Sequence, residues 1–88
     1  MPPSSETTVE LPAGVDLHAR PAAQFVRTAM QFTSRIAVIA GEREADAKSL
    51  LSVLALGAKS GTRLRLRADG GDAGQAVEGL ADCVSALQ

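Results

Sequence analysis

Hydrophobic side chains recur along this chain with two alternating periods. From Thr7 to Leu11, Val9 and Leu11 fall on one side and Thr8 and Glu10 on the other, the two-residue repeat of a strand with one wet face. Pro12, Ala13 and Gly14 end it. Ala22, Phe25, Val26 and Ala29 then recur at helical spacing, which predicts a helix running to about Gln31, with Pro21 in the first turn, where a missing N–H costs nothing. Ser34 to Ala40 is almost wholly apolar and rich in Ile36, Val38 and Ile39, so it reads as a strand near the sheet centre. Gly41-Glu42 reads as a tight turn into a short edge strand, Arg43 to Ala47. Ser49 is placed to cap a helix over Leu50 to Leu56, with Gly57 as its left-handed stop. In Thr62 to Ala68, Leu64, Leu66 and Ala68 alternate with Arg63, Arg65 and Arg67. Asp69-Gly70-Gly71 closes that strand, and Asp72 is placed to cap a last helix with an apolar stripe of Ala73, Ala76, Val77, Leu80, Val84 and Leu87. The order is β-α-β-β-α-β-α. Because two strands show a polar face, the natural architecture is an α+β fold, a mainly antiparallel sheet covered by helices on one side.

Length and composition narrow the functions such a fold could carry. At 88 residues the chain is expected to be one domain spanning residues 1–88, with residues 1–5 frayed. Nine basic and ten acidic side chains give a net charge of −1, and there is neither Trp nor Tyr, so neither a basic field nor stacking surfaces favour nucleic acid. A single cysteine, Cys83, rules out an internal disulfide and a cysteine zinc cluster. No apolar run approaches the roughly 20 residues that span a bilayer, and Met1 to Ser5 lack the features of a leader. The expectation is a cytoplasmic protein without direct membrane insertion.

The chemistry centres on His18, the only histidine, within Leu17-His18-Ala19-Arg20-Pro21-Ala22-Ala23 at the entrance to the first helix. In a small domain such a residue is often only a cap or a surface group. Here, however, the free N–H groups and positive end of the helix make an anion site, and they disfavour imidazolium, leaving a ring nitrogen free to attack. Arg20 adds a planar fork of donors suited to phosphoryl oxygens. The pair suits phosphoryl transfer. Acyl hydrolysis fits less well, because no carboxylate is identifiably paired with His18 and no serine or cysteine nucleophile can be assigned. One histidine without neighbouring ligands also makes an unlikely zinc site, and no metal is expected.

Leu17-His18-Ala19-Arg20-Pro21-Ala22 closely resembles the active-site segment of the HPr family, the histidine-containing phosphocarriers of the bacterial phosphoenolpyruvate-dependent sugar phosphotransferase system. Lys48-Ser49-Leu50-Leu51-Ser52-Val53-Leu54-Ala55-Leu56-Gly57-Ala58 resembles the family's second motif, and length and element order agree over essentially the whole chain. The resemblance implies an open-faced β-sandwich, a four-stranded antiparallel sheet with three helices on one face. It implies that His18 takes a phosphoryl group from phosphorylated enzyme I at Nδ1 and passes it to a sugar-specific enzyme IIA, with Arg20 contacting that group. The chain would then be a covalent carrier, not an enzyme, a monomer needing no cofactor beyond the phosphoryl group that phosphoenolpyruvate supplies through enzyme I. The sequence departs from the family just before the histidine: Val15 and Asp16 stand where a glycine directly precedes Leu in many members, with Gly14 slightly earlier. Asp16 is expected to tolerate a left-handed turn, and its charge to raise the free energy of a phosphorylated imidazole.

By the same resemblance Ser49 matches the serine modified by HPr kinase/phosphorylase, beside its plain role as a helix cap. Leu50, Leu51 and Leu54 are more leucine than a short one-sided helix needs. Some are expected to form an apolar partner-binding surface, with Arg20, Arg27 and Lys48 supplying charge. The arginine row reads as the solvated face of a strand offset by Glu6 and Glu10, and Cys83 as a half-buried helix residue. Gly57 to Gly61 ends a helix and lacks the spacing of a nucleotide loop. Two alternatives remain beside a sugar-system carrier: a nitrogen-regulatory carrier serving signalling, and a small acylphosphatase-like hydrolase, disfavoured because the chain has no asparagine to orient water. A purely regulatory binding module is a third class.

Overall fold

The computed structural model describes residues 3–88. Its elements follow the predicted order: β1 (Ser4–Glu10), α1 (Ala19–Ala29), β2 (Arg35–Ala40), β3 (Arg43–Asp46), α2 (Leu50–Ala55), β4 (Arg63–Asp69) and α3 (Ala73–Ser85). The four strands form one antiparallel sheet in the order β1-β4-β2-β3, so the apolar β2 is an inner strand and the short, polar β3 an edge. Phe25 of α1, Val53 of α2 and Leu80 of α3 join Ile36, Val38, Leu64 and Leu66 in one buried cluster. All three helices therefore bury against the same sheet face, giving an open-faced β-sandwich. No helix among the described residues is long and apolar enough to cross a membrane.

On the other face Arg63 and Arg65 stand exposed and Arg67 half-buried, with Arg65 3.1 Å from Glu6 and Arg67 3.3 Å from Glu44. Glu6 thus plays the offsetting role expected of it. Glu10 stands opposite Arg63 in the register but makes no ion pair among the described residues, and Arg67 turns instead to β3.

Two expectations need correction. Ser4 and Ser5 are not frayed: they continue β1, pairing with Asp69 and Ala68, and Gly70 N–H donates to the Pro3 carbonyl at 2.8 Å. The backbone ladder orders polar residues that carry no hydrophobic signal; Met1 and Pro2 of the same expectation lie outside the described residues. Asp72 occupies the cap position of α3 without its carboxylate capping that helix. The carboxylate instead accepts from the Thr33 and Ser34 amides, each at 2.9 Å, and from the Ser34 hydroxyl, tying the start of α3 to the turn between α1 and β2. These bonds, the Ser34 hydroxyl foremost and then the Thr33 amide, lower its pKa to about 2. Gly70 lets the chain pass: it sits at φ +150°, and a Cβ there would lie 2.6 Å from Ser34 Oγ.

Candidate functional site

The strap between β1 and α1 repeats the two-residue logic of a strand. Val15 and Leu17 are buried, at 7% and 3% exposure, which turns the alternate residues Asp16 and His18 outward. Leu17 N–H donates to the Ala58 carbonyl at 2.9 Å, and Val15 N–H to the Pro12 carbonyl at 3.1 Å, so the strap is held at both ends. The turn into it is made by Gly14 at φ +80°, and no non-glycine among the described residues has positive φ. The left-handed turn expected of Asp16 is therefore absent, because the glycine before Val15 takes that conformation where it carries no steric penalty.

His18 is the N-cap of α1, with extended backbone dihedrals and a side chain that caps nothing. The helical ladder begins with Ala22 N–H donating to the His18 carbonyl at 2.8 Å. The amides of Ala19 and Arg20 are left as the free donors of the first turn, since Pro21 has none. The first turn holds no acidic residue, so the positive end of α1 is not neutralised from within. The imidazole is 81% exposed. Arg20 is exposed on the same turn and makes no ion pair among the described residues. Depressions such as one of about 550 Å³ lined by Arg35, Arg67 and Lys48 are lined by residues other than His18. Active sites are usually concave, and a side chain standing this far out excludes no water by itself.

The charge of Asp16, expected from the sequence to act on the imidazole, does lie beside His18. Asp16 Oδ2 lies 3.5 Å from His18 Nε2, while Asp16 Oδ1 accepts from Ser60 N–H at 2.7 Å. Asp16 is thus a carboxylate paired with the imidazole, which the sequence alone did not identify as such. The signal was present in the spacing, since residues two apart on an extended strap share a side.

The remaining singled-out residues separate into two groups. Ser49 caps α2, its hydroxyl accepting from Ser52 N–H at 3.3 Å. Of the α2 leucines, Leu51 is 81% and Leu50 40% exposed, whereas Leu54 is half-buried against the core. Arg27 is exposed on α1, against which α2 packs. Lys48 differs: its ammonium donates to the Phe32 carbonyl at 2.7 Å and is occupied in closing the turn after α1. Cys83 is half-buried, 3.5 Å from the Thr28 hydroxyl.

Comparison with known proteins agrees with this arrangement. Residues 4–86 match the family model described as the PTS HPr component phosphorylation site. The chain is 46% identical over 80 residues to the phosphocarrier protein HPr of Haemophilus influenzae, covering 91% of this chain and 94% of that one. It is 42% identical over 66 residues to HPr of Mycoplasma capricolum, covering 75% and 74%. Among solved structures, HPr-C-His from Thermoanaerobacter tengcongensis superposes with a TM-score of 0.87 at 38% identity, covering 92% of this chain and 91% of that one. A match of this extent, over a sheet, three helices and an outward histidine at the start of α1, places the chain in the HPr family, the phosphocarriers of the phosphotransferase system, which are not enzymes in their own right.

Proposed function

We propose that His18 accepts a phosphoryl group from phosphorylated enzyme I in the cytoplasm and hands it to an enzyme IIA of a sugar phosphotransferase system. The observation that carries this reading is the 81%-exposed imidazole at the start of α1, whose first turn holds no acidic residue. A carrier must enter two partner sites in turn, and exposure of the acceptor is what that task requires. Arg20 holds the phosphoryl oxygens with its guanidinium, aided by the free amides of Ala19 and Arg20. Leu50 and Leu51, exposed on α2, form a small apolar docking patch, and the exposed Arg20 and Arg27 of α1 supply positive charge for acidic partners. Lys48, its ammonium bound to the Phe32 carbonyl, adds positive charge next to the start of α2. Ser49, capping α2 beside that patch, is the regulatory position: a phosphate there is tolerated by the helix start and adds negative charge that repels acidic partners.

Incubation with enzyme I and phosphoenolpyruvate is expected to yield an acid-labile, base-stable phosphoprotein. His18→Ala is expected to take up no label, and label on that variant would sink the assignment. HPr kinase/phosphorylase with ATP is expected to give an acid-stable phosphoserine that Ser49→Ala lacks.

A further inference from the structure

Asp16 uses its two carboxylate oxygens differently. Oδ1 is pinned by Ser60 N–H at 2.7 Å, and Oδ2 faces His18 Nε2 at 3.5 Å. With Val15 and Leu17 buried on either side, the backbone at Asp16 is anchored, and the Ser60 amide tethers its carboxylate. We infer that Asp16 is a positioning residue for His18, keeping the ring proton on Nε2 so that the Nδ1 lone pair is the nucleophile. The inference rests on the reading of His18 as phosphoryl acceptor.

A neutral imidazole carries one N–H, and an ionised carboxylate only accepts. The tautomer with its proton on Nε2 points that proton at Asp16, whereas the other sets a lone pair against a negative charge. During transfer the Nδ1 lone pair forms the N–P bond while the bond from phosphorus to the donor's leaving atom breaks, that electron pair departing with the donor. The ring keeps its Nε2 proton and becomes an imidazolium, and Asp16 faces the new positive charge from the Nε2 side. On handover the N–P bond breaks and its electron pair returns to Nδ1. The carboxylate thus orients the ring as the acid of a Ser-His-Asp triad does. Its repulsion falls on a phosphoryl group at Nε2, so the charge expected to burden the phosphorylated state serves instead to select which nitrogen carries it.

The single histidine makes the test direct, because long-range proton–nitrogen NMR of the full chain labelled with 15N reports His18 alone. The unphosphorylated protein is expected to hold its proton on Nε2, and phosphorus NMR to place the phosphoryl group on Nδ1. Asp16→Asn keeps an acceptor for Ser60 N–H but turns an amide donor toward Nε2. It is expected to lower the Nε2–H to Nδ1–H ratio by about threefold, the size an exposed charge contact supports, and to slow single-turnover transfer from phosphorylated enzyme I comparably. A native protein with its proton mainly on Nδ1 would overturn the inference without any variant. So would an Asp16→Asn protein that transfers slowly with an unchanged tautomer ratio, since Asp16 would then act only structurally. Label on His18→Ala would instead overturn the acceptor reading beneath it.

Discussion

Truncating Leu51 separates a residue kept for docking from one kept for folding. Its side chain is 81% exposed on α2, while Val53, two residues on, is fully buried in the core. Leu51→Ala removes apolar surface that the folded chain leaves in water, so stability is expected to change by less than about 0.5 kcal/mol. If a partner buries that side chain, the loss appears in binding. A leucine carried from full exposure to full burial is worth about 2 kcal/mol, and that corresponds to roughly 30-fold in affinity. Val53→Ala is expected to do the reverse: loss of two buried methyl groups, at about 0.8 kcal/mol each plus a cavity, destabilises the fold by about 2 kcal/mol while leaving the docking surface in place. Urea denaturation gives the stabilities, and the KM of enzyme I for each chain gives the docking term. A Leu51→Ala protein with native stability and a KM within twofold of native would refute the assignment of Leu51 to the partner surface. A Leu51→Ala protein destabilised as much as Val53→Ala would refute the argument from exposure itself.

The clamp beneath α3 gives two further expectations. Gly70→Ala forces a Cβ to within 2.6 Å of Ser34 Oγ and 2.8 Å of Ser34 Cα at a φ of +150°, a strain that lowers the unfolding free energy by about 2 kcal/mol and with it the urea midpoint, whereas Gly71→Ala meets nothing within 4 Å and is expected to be nearly neutral; equal midpoints would contradict this. Asp72 has its folded pKa lowered to about 2, against about 3.9 when unfolded, so the unfolded chain binds more protons between those values. Its contribution is complete above about pH 4 and lost as pH falls toward 2, so Asp72→Asn is expected to flatten the stability profile in that window. An unchanged profile in acid urea titrations would remove the clamp.

The elements legible from sequence are those whose signal is local. The arginine and leucine alternation of β4, the capping serine of α2 and the helical stripe of α3 each report their own backbone, because side-chain period and cap chemistry depend on neighbours a few residues away. The start of β1 was not legible, since Ser4 and Ser5 are ordered by β4, more than 60 residues on. Asp72 misled for the same reason. An aspartate before a helix reads as a cap until Thr33 and Ser34, 39 and 38 residues earlier, are brought to its carboxylate.

At the site, the sequence by itself determined that one histidine stands at the mouth of a helix with an arginine two residues on, and the two motifs located both within the family pattern. Only the tertiary structure decided how that histidine is held. Burial of Val15 and Leu17 turns Asp16 and His18 to the same side, and the Ser60 amide, 44 residues from Asp16, fixes the carboxylate opposite Nε2. Local pattern sets which residues point outward, but the partner of a polar group is chosen by packing, which brings together donors and acceptors that the chain keeps far apart.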